Sequence, residues 1–351
     1  MSARPVITSL LSYGMSGELF HAPFLHVHPG FLLKSVVERS KQKVALRYPD
    51  VKSVKDRQQI LQDDSIELVV VNTPNETHYS YTKEALEAGK HVIVEKPFTV
   101  DTREADELIA LAKKKNKTLT VFQSRRFDGD FRTLQKVIND GVVGSIAEFE
   151  AHYDRFRNYV EPNSWKEERK PGTGILYNLG SHMLDQVLVL FGMPNEVDAR
   201  IGTQRPAGKV DDYYDIRLAY NDFLVIVKSS YLVREQGPRY ILHGREGSFI
   251  KYGIDPQEQA LKEGKMPGSA GWGVEDKSSW GKINSTINGI HVEDRIETLK
   301  GDYMDFYQNV YEAIRENKEL AVKPEEARQV IRLIELCYES NQSRRAIKIT
   351  G

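Results

Sequence analysis

From Val6 to Val121 the chain alternates short, continuously apolar runs with longer stretches whose apolar residues recur at helical spacing, and this rhythm limits the fold most strongly. The runs are VITSLL, FLLKSVVE, IELVVVN, HVIVE and LTVF. Apolar on both faces, they suit strands buried between two layers. Between them stand SKQKVALRYP, VKDRQQILQDD, ETHYSYTKEALEAGK and DTREADELIALAKKKNK, whose amphipathic patterns predict helices. In the third of these, Thr77 or Asn75 is expected to cap the start and Gly89 to mark the end. Strands joined by helices in right-handed crossovers make a parallel, doubly wound sheet, so residues 1–122 are expected to form an α/β domain.

After Phe122 the rhythm changes. The longer alternating segments IAEFEAHYDRF, YDIRLAY, FLVIVKSSYLV and RYILHGREGSFIKYG predict a largely antiparallel, open sheet with one exposed face. Residues 123–351 are therefore expected to form a second, α+β domain. The stretch EGKMPGSAGWG reads as a long surface loop, and YMDFYQNVYEAI and EEARQVIRLIELCYES as closing helices. A length of 351 residues also exceeds what one core usually serves. The formal charge of −1 supplies no field for nucleic acid or an acidic membrane, and no run approaches the roughly 20 apolar residues of a membrane helix. Cys337 is the single cysteine, so no internal disulfide exists, and it reads as a small core residue in a reducing compartment. With no signal-peptide pattern in MSARPVITSLL, the expected location is cytoplasmic.

The turn after the first strand, in SLLSYGMSGELFHAP, carries the first chemical signal. A dinucleotide-binding turn reads G-x-G-x-x-G; here Ser12 holds the first place, Gly14 the second and Gly17 the third, with Met15 between the two glycines. A serine can turn there only if its φ is negative. Gly14 would let the backbone approach a pyrophosphate, Gly17 would let the helix pack on the strand, and the helix N-terminus would add its dipole. The second strand ends in VVERS, where Glu38 would bond a free ribose 2′-hydroxyl while Arg39 and Ser40 would hold a 2′-phosphate. The reading leans to NADP, with NAD left open. Asn72, Thr73, Pro74 and His78 follow a central strand and are expected around the pyrophosphate or the nicotinamide ribose. His26 and His28 in HVHPG have a metal-like spacing without further ligands nearby, which reads as a surface loop rather than a metal site.

Two further segments, VVVNTPNETHYSYTKEALEAGKHVIVEKPF and GILYNLGSHMLDQ, resemble the glucose-fructose oxidoreductase/inositol dehydrogenase (Gfo/Idh/MocA) family of two-domain NAD(P)-dependent oxidoreductases. The resemblance covers nearly the whole chain, including YGMSGELFHAP, QSRRFDGDF and RYILHGREGSFIKYG. GMSGELFHAP, RRFDGDF and GSFIKYG are similar to the NADP-dependent scyllo-inositol dehydrogenase branch. The resemblance implies an N-terminal Rossmann domain and places Lys96, after Glu95 and before Pro97, beside the nicotinamide and substrate. It also implies a catalytic Asp-x-x-x-His pair on one helix, matched here by Asn178 and His182. The i, i+4 spacing puts these two on one face. His182 suits a general base because its ordinary pKa is near neutrality, whereas Asn178 can orient a hydroxyl but cannot take a proton. Asp185, one turn on, either tunes His182 or is a helix-surface acid.

Arg155, Arg157 and Tyr159 alternate along an expected strand and either line a substrate pocket or face solvent. Arg126 and Asp128 either border the cleft or form a domain-joining ion pair. The implied activity is hydride transfer between a nicotinamide cofactor and a secondary hydroxyl or ketone of a polyol, inositol or sugar. Two alternatives stand beside it: a cofactor-binding sensor without turnover, suggested by Asn178, and a closed-cycle redox-assisted hydrolase or epimerase. The family also implies a homodimer or homotetramer built on the open face of the second sheet.

Overall fold

In the computed structural model, which describes residues 4–39 and 42–349, the apolar runs of the N-terminal third pair into one six-stranded sheet. Its strands are β1 (Val6–Leu10), β2 (Phe31–Val37), β3 (Lys52–Val54), β4 (Leu68–Val71), β5 (His91–Glu95) and β6 (Leu119–Phe122), in spatial order β3-β2-β1-β4-β5-β6. Every pairing is parallel. β4 and β6 are buried at every position, which is why their sequences carry no polar alternation. β3 was not foreseen: it is three residues, KSV, at the sheet edge, with no apolar run to mark it. Strand order reverses between β1 and β4, so the loops that follow these two strands flank the switch point at which such sheets bind ligands.

The helices His78–Glu87 and Thr102–Lys115 match their patterns, while Val44–Arg47 and Gln58–Leu61 are only one turn each. Pro49 lies two residues past the first of these short helices and cannot continue it. Gly89, at φ +75°, closes His78–Glu87 as expected. The expected cap at its start is absent: a short turn, Asn75–Thr77, precedes the helix, and the Thr77 hydroxyl donates to Pro74 O at 2.6 Å instead.

The first unit comprises the residues up to Phe127 together with Gln257–Trp272 and Asp302–Arg328. The expected cut between residues 122 and 123 follows chain order but not contacts, because these two late segments add aromatic side chains to the first core. In helix Met304–Glu316, Tyr307 stacks on Phe24 at 5.2 Å and Phe306 meets Phe122 edge-on at 5.0 Å. Trp272, which ends the segment expected to be a surface loop, is buried against Phe24.

The second unit holds a nine-stranded sheet of β7 (Ile146–His152), β8 (Glu196–Gly202), β9 (Tyr213–Ala219), β10 (Leu224–Ser230), β11 (Tyr240–Gly244), β12 (Gly247–Lys251), β13 (Gly281–Ile287), β14 (Ile290–Ile296) and β15 (Ile347–Lys348). Its order is β14-β13-β12-β11-β7-β10-β9-β8-β15, antiparallel throughout except for β7 beside β10. Along β9, Tyr214, Ile216 and Leu218 are buried and the alternate residues are not, the pattern of a sheet covered on one face. The strand expected to run through Phe156 stops at His152; beyond it only Phe156 forms a bridge, to Leu232. Cys337 is buried, as expected of a core residue. Among the described residues, no helix is long and apolar enough to cross a membrane.

Candidate functional site

At the end of β1 the chain turns sharply, and Asn72, just past β4, holds the turn. Ser12 N–H donates to Asn72 Oδ1 at 3.0 Å, and Asn72 Nδ2 donates back to Ser12 O at 2.8 Å. Ser12 is not among the residues with positive φ, and its hydroxyl accepts the Gly14 N–H at 3.2 Å, so the serine closes the turn that a glycine was expected to supply. Gly17 is required by close approach: a Cβ there would collide with Ser12 O and lie 2.9 Å from Asn72 Nδ2. Gly14 differs, since a Cβ would meet only Ser12 Oγ at 3.5 Å. Among the described residues outside its chain neighbours, nothing else comes within 4 Å of that position. Met15 is exposed and opens the helix, whose first-turn N–H groups have no intrahelical acceptors.

Asn72 and His78 both serve the framework of this turn. The Asn72 amide ties two loops together, and His78 is fully buried with Nδ1 2.7 Å from Pro97 O and Nε2 3.0 Å from Thr73 O. A side chain with no exposed surface cannot touch a cofactor. Thr73 and Pro74 are half-buried beside it, with Thr73 Oγ1 2.6 Å from Thr77 Oγ1. At the end of β2, the Glu38 carboxylate accepts the backbone N–H groups of Lys43 at 2.8 Å and Val44 at 3.3 Å, so it caps the following turn. Arg39 is exposed, and Ser40 lies outside the described residues.

β5 ends in the Glu95–Lys96 pair, and Glu95 is the hub. Its Oε1 accepts from Ser16 Oγ, a residue of the first helical turn, and lies 3.1 Å from His21 Nε2; its Oε2 accepts the Lys96 N–H at 3.1 Å. Burial alone would raise the Glu95 pKa, but the hydrogen bonds from His21 and Ser16 and the Lys96 charge bring it down to about 2. His21 is fully buried, and its other nitrogen lies 2.9 Å from Tyr307 Oη, which donates to Phe20 O at 2.5 Å. The sequence reading missed Ser16, His21 and Tyr307. The only signal was a polar pair at the buried end of YGMSGELFHAP, and Tyr307 lies far down the chain.

In the second unit, Asn178 and His182 occupy a helix whose start is wound more widely than an α-helix, over Leu176–Gly180, before Ser181–Phe191 continues as α. Such widened turns recur at functional sites. Asp211 fixes this start: its backbone O accepts the Ile175 N–H at 2.8 Å, while its carboxylate accepts the Leu176 N–H at 3.0 Å and the Tyr338 hydroxyl at 2.9 Å. Gly174, at φ +97°, leaves room for that carboxylate, with which a Cβ would collide. Asn178 is half-buried, its Nδ2 3.5 Å from Tyr231 Oη, and His182 is nearly buried. Asp185 is buried, which corrects the reading of a helix-surface acid: Ser181 through Val187 are all enclosed.

Tyr231 is flanked by two guanidinium groups, Arg205 at 4.9 Å and Arg157 at 5.6 Å from its ring centre. Arg205 is buried and bonded to Glu167 through two nitrogens, at 3.0 and 2.8 Å, and to Asp212 at 2.8 Å. Arg155 lies 4.6 Å from the Tyr153 ring centre, and Tyr159 is exposed, offering only its carbonyl to Arg205 at 2.6 Å. Arg155 and Arg157 lie past the end of β7, where their N–H groups still bond Ser230 O at 3.0 Å and Tyr231 O at 2.7 Å, and Tyr159 lies outside any strand. Arg126 pairs with Glu326 at 2.6 Å; both belong to the first unit, so this ion pair joins no domains. Asp128 is fully buried. Among the described residues, no group of three or more His, Cys, Asp or Glu is placed to hold a metal ion. His28 is buried rather than in a surface loop, its Nδ1 accepting the Gly30 N–H at 2.9 Å.

Comparison with known proteins gives two family matches in chain order. Residues 11–123 match the oxidoreductase family NAD-binding Rossmann fold, and residues 135–349 match the oxidoreductase family C-terminal alpha/beta domain. The scyllo-inositol 2-dehydrogenase (NADP(+)) of Bacillus subtilis is 38% identical over 340 residues, covering 97% of this chain and 95% of that protein. The D-glucoside 3-dehydrogenase of Escherichia coli is 28% identical over 233 residues, 64% of this chain and 66% of that one. The solved structure of yvaA from Bacillus subtilis superposes with a TM-score of 0.96 at 36% identity, covering both chains in full.

Proposed function

Because the chain belongs to the Gfo/Idh/MocA oxidoreductase family, with its NAD-binding Rossmann domain, we propose that it is an NADP-preferring dehydrogenase acting on a secondary hydroxyl or ketone of a polyol, inositol or sugar. The observation that carries the cofactor half of this reading is the space beside Gly14 at the sheet's switch point, which a Cβ could enter without meeting backbone. There the Met15 helix start would receive the pyrophosphate. The preference for NADP rests on Glu38, whose carboxylate is engaged with Lys43 and Val44, and on Arg39, which is exposed beside it. NAD remains the alternative that a binding comparison decides.

When bound, the nicotinamide exchanges hydride with the carbinol carbon; the protein supplies alignment and a route for the proton. His182 is assigned the hydroxyl proton during oxidation, Lys96 a hydrogen bond to the oxygen as it becomes a carbonyl, and Asn178 the orientation of a hydroxyl. The inositol and glucoside dehydrogenases among the relatives support the substrate class. A homodimer or homotetramer through the open face of the nine-stranded sheet belongs to the same proposal, and light scattering in solution tests it.

Asn178 favours a second reading, a cofactor-bound sensor. A panel of polyols and keto sugars mixed with NADP separates the readings through the reduced-nicotinamide absorbance band. Net reduction of the cofactor supports the dehydrogenase. Conversion of the sugar without net reduction points to a closed redox cycle, and binding with neither points to a sensor.

A further inference from the structure

The hydrogen bonds around His21 constrain where its protons sit. Tyr307 has one hydroxyl proton, and it goes to Phe20 O at 2.5 Å. The phenol oxygen can then only accept at the contact with His21 Nδ1, 2.9 Å away, so Nδ1 carries a proton. On the other side, Nε2 faces Glu95 Oε1 at 3.1 Å. Glu95 accepts from Ser16 on that same oxygen and from the Lys96 N–H on the other, so both carboxylate oxygens act as acceptors. Nε2 therefore faces an acceptor, as Nδ1 does. The titratable groups facing the ring are Glu95 from β5, with Lys96 next to it in the chain, and Tyr307 from helix Met304–Glu316; Phe122, 4.6 Å away, closes another side.

We propose that His21 is a positioning residue of the nucleotide site: as a doubly protonated imidazolium it clamps Glu95, which in turn holds Ser16 at the start of the pyrophosphate-binding helix and the backbone of Lys96. This rests on the cofactor reading given above. A buried histidine serving only as packing would need neither a charge nor a carboxylate partner, and a buried charge persists when it is paired and hydrogen-bonded on all sides. Here the ring and its counterion are held by Tyr307, Ser16 and the Lys96 N–H, with Tyr307 anchored in turn on Phe20 O, so that three separate segments of one unit meet: the first helix, the end of β5 and a late helix. The clamp links the loop that would carry the phosphates to the lysine that would carry the chemistry, so a disturbance at either reaches the other.

The test has two arms on the full-length chain. In the first, nitrogen-15 correlation spectra of the imidazoles at neutral pH, assigned with His21→Gln, report whether both His21 nitrogens are protonated; a neutral tautomer overturns the proposal. In the second, NADPH binding is titrated by fluorescence for wild type, Ser16→Ala, His21→Gln and the double variant. Each single change is expected to weaken binding about 10-fold, the scale of one hydrogen bond to a charged group. The double variant is expected to lose no more than about the larger single loss, because both act through Glu95. Fully additive losses overturn the clamp. Ser16→Ala, at a half-buried surface turn, keeps the test decisive if His21→Gln fails to fold, since unchanged NADPH affinity in it contradicts the proposal. A wild-type chain that binds no NADPH overturns the cofactor reading, and the positioning role with it, while the spectra still decide the protonation state.

Discussion

The first unit holds its candidate chemistry with a charged clamp, whereas the second sets an amide beside a phenol. At the end of β5, the carboxylate of Glu95 is answered by His21 and by two further donors. In the second unit Asp211 is bonded to the start of the helix that carries Asn178 and to Tyr338, and Glu167 and Asp212 are bonded to Arg205. The Asn178 amide lies 3.5 Å from the Tyr231 hydroxyl. A charged network fixes geometry strongly and tolerates little change, whereas an amide beside a phenol brings no charge of its own to the site. The resemblance to a family with aspartate at this position makes the difference consequential.

The strongest way to break this comparison is to remove the groups assigned to chemistry. Lys96→Ala and His182→Ala are each expected to lower turnover at least about 100-fold, the scale of a positioned acid or base, while NADPH binding survives. Wild-type turnover in either variant removes that residue from the reaction. Next, Arg39→Ala should weaken NADP binding by about 1.5–3 kcal/mol and leave NAD nearly unchanged, as expected for loss of a charged hydrogen bond to a 2′-phosphate. Equal losses for both cofactors, measured by calorimetry, would assign the preference elsewhere. Gly17→Ala drives a methyl into Ser12 O, and should cost about 1–3 kcal/mol of stability together with NADPH affinity. Unchanged denaturation and binding curves would show that the turn yields freely.

Smaller effects sharpen the contrast. The Glu95 pKa is lowered from 4.5 to about 2 in the folded chain, so its contribution to stability is present above pH 4.5 and is lost as pH falls toward 2. Glu95→Gln should therefore flatten the acid side of the stability profile in that window, and an unchanged slope in denaturant titrations would contradict the clamp. Asp211 behaves oppositely: burial, the largest influence, pushes its pKa up, so the charge itself adds little. Asp211→Asn should be nearly neutral for stability, while Asp211→Ala should cost about 1–2 kcal/mol by leaving Leu176 N–H and Tyr338 without an acceptor.

The two units were also unequally legible in the sequence. Strands buried on both faces announce themselves as VITSLL or HVIVE, and Ser12, Gly14 and Gly17 lie within one short loop, so five of the six parallel strands and the turn could be read directly. β3 was silent because an edge strand of three residues has no pattern to show. Asn178 and His182 were found through one local motif, but their neighbours Asp211 and Tyr231 are distant in sequence and are brought close only by folding. For the same reason Tyr307 was invisible, although it stands behind His21. Spacing also put Arg155, Arg157 and Tyr159 on one regular strand, because alternation continues past His152, where the ladder of β7 ends.

Asn178→Asp tests most directly whether the second site is built around an amide. The new carboxylate would be half-buried beside Tyr231, desolvated and without the donor that the amide supplies. The rate of NADP reduction at neutral pH, measured on the polyol that the panel identifies, is predicted to fall in this variant. A large gain in rate, from an aspartate that stabilises the His182 imidazolium, would contradict the account and show that the missing charge was limiting catalysis.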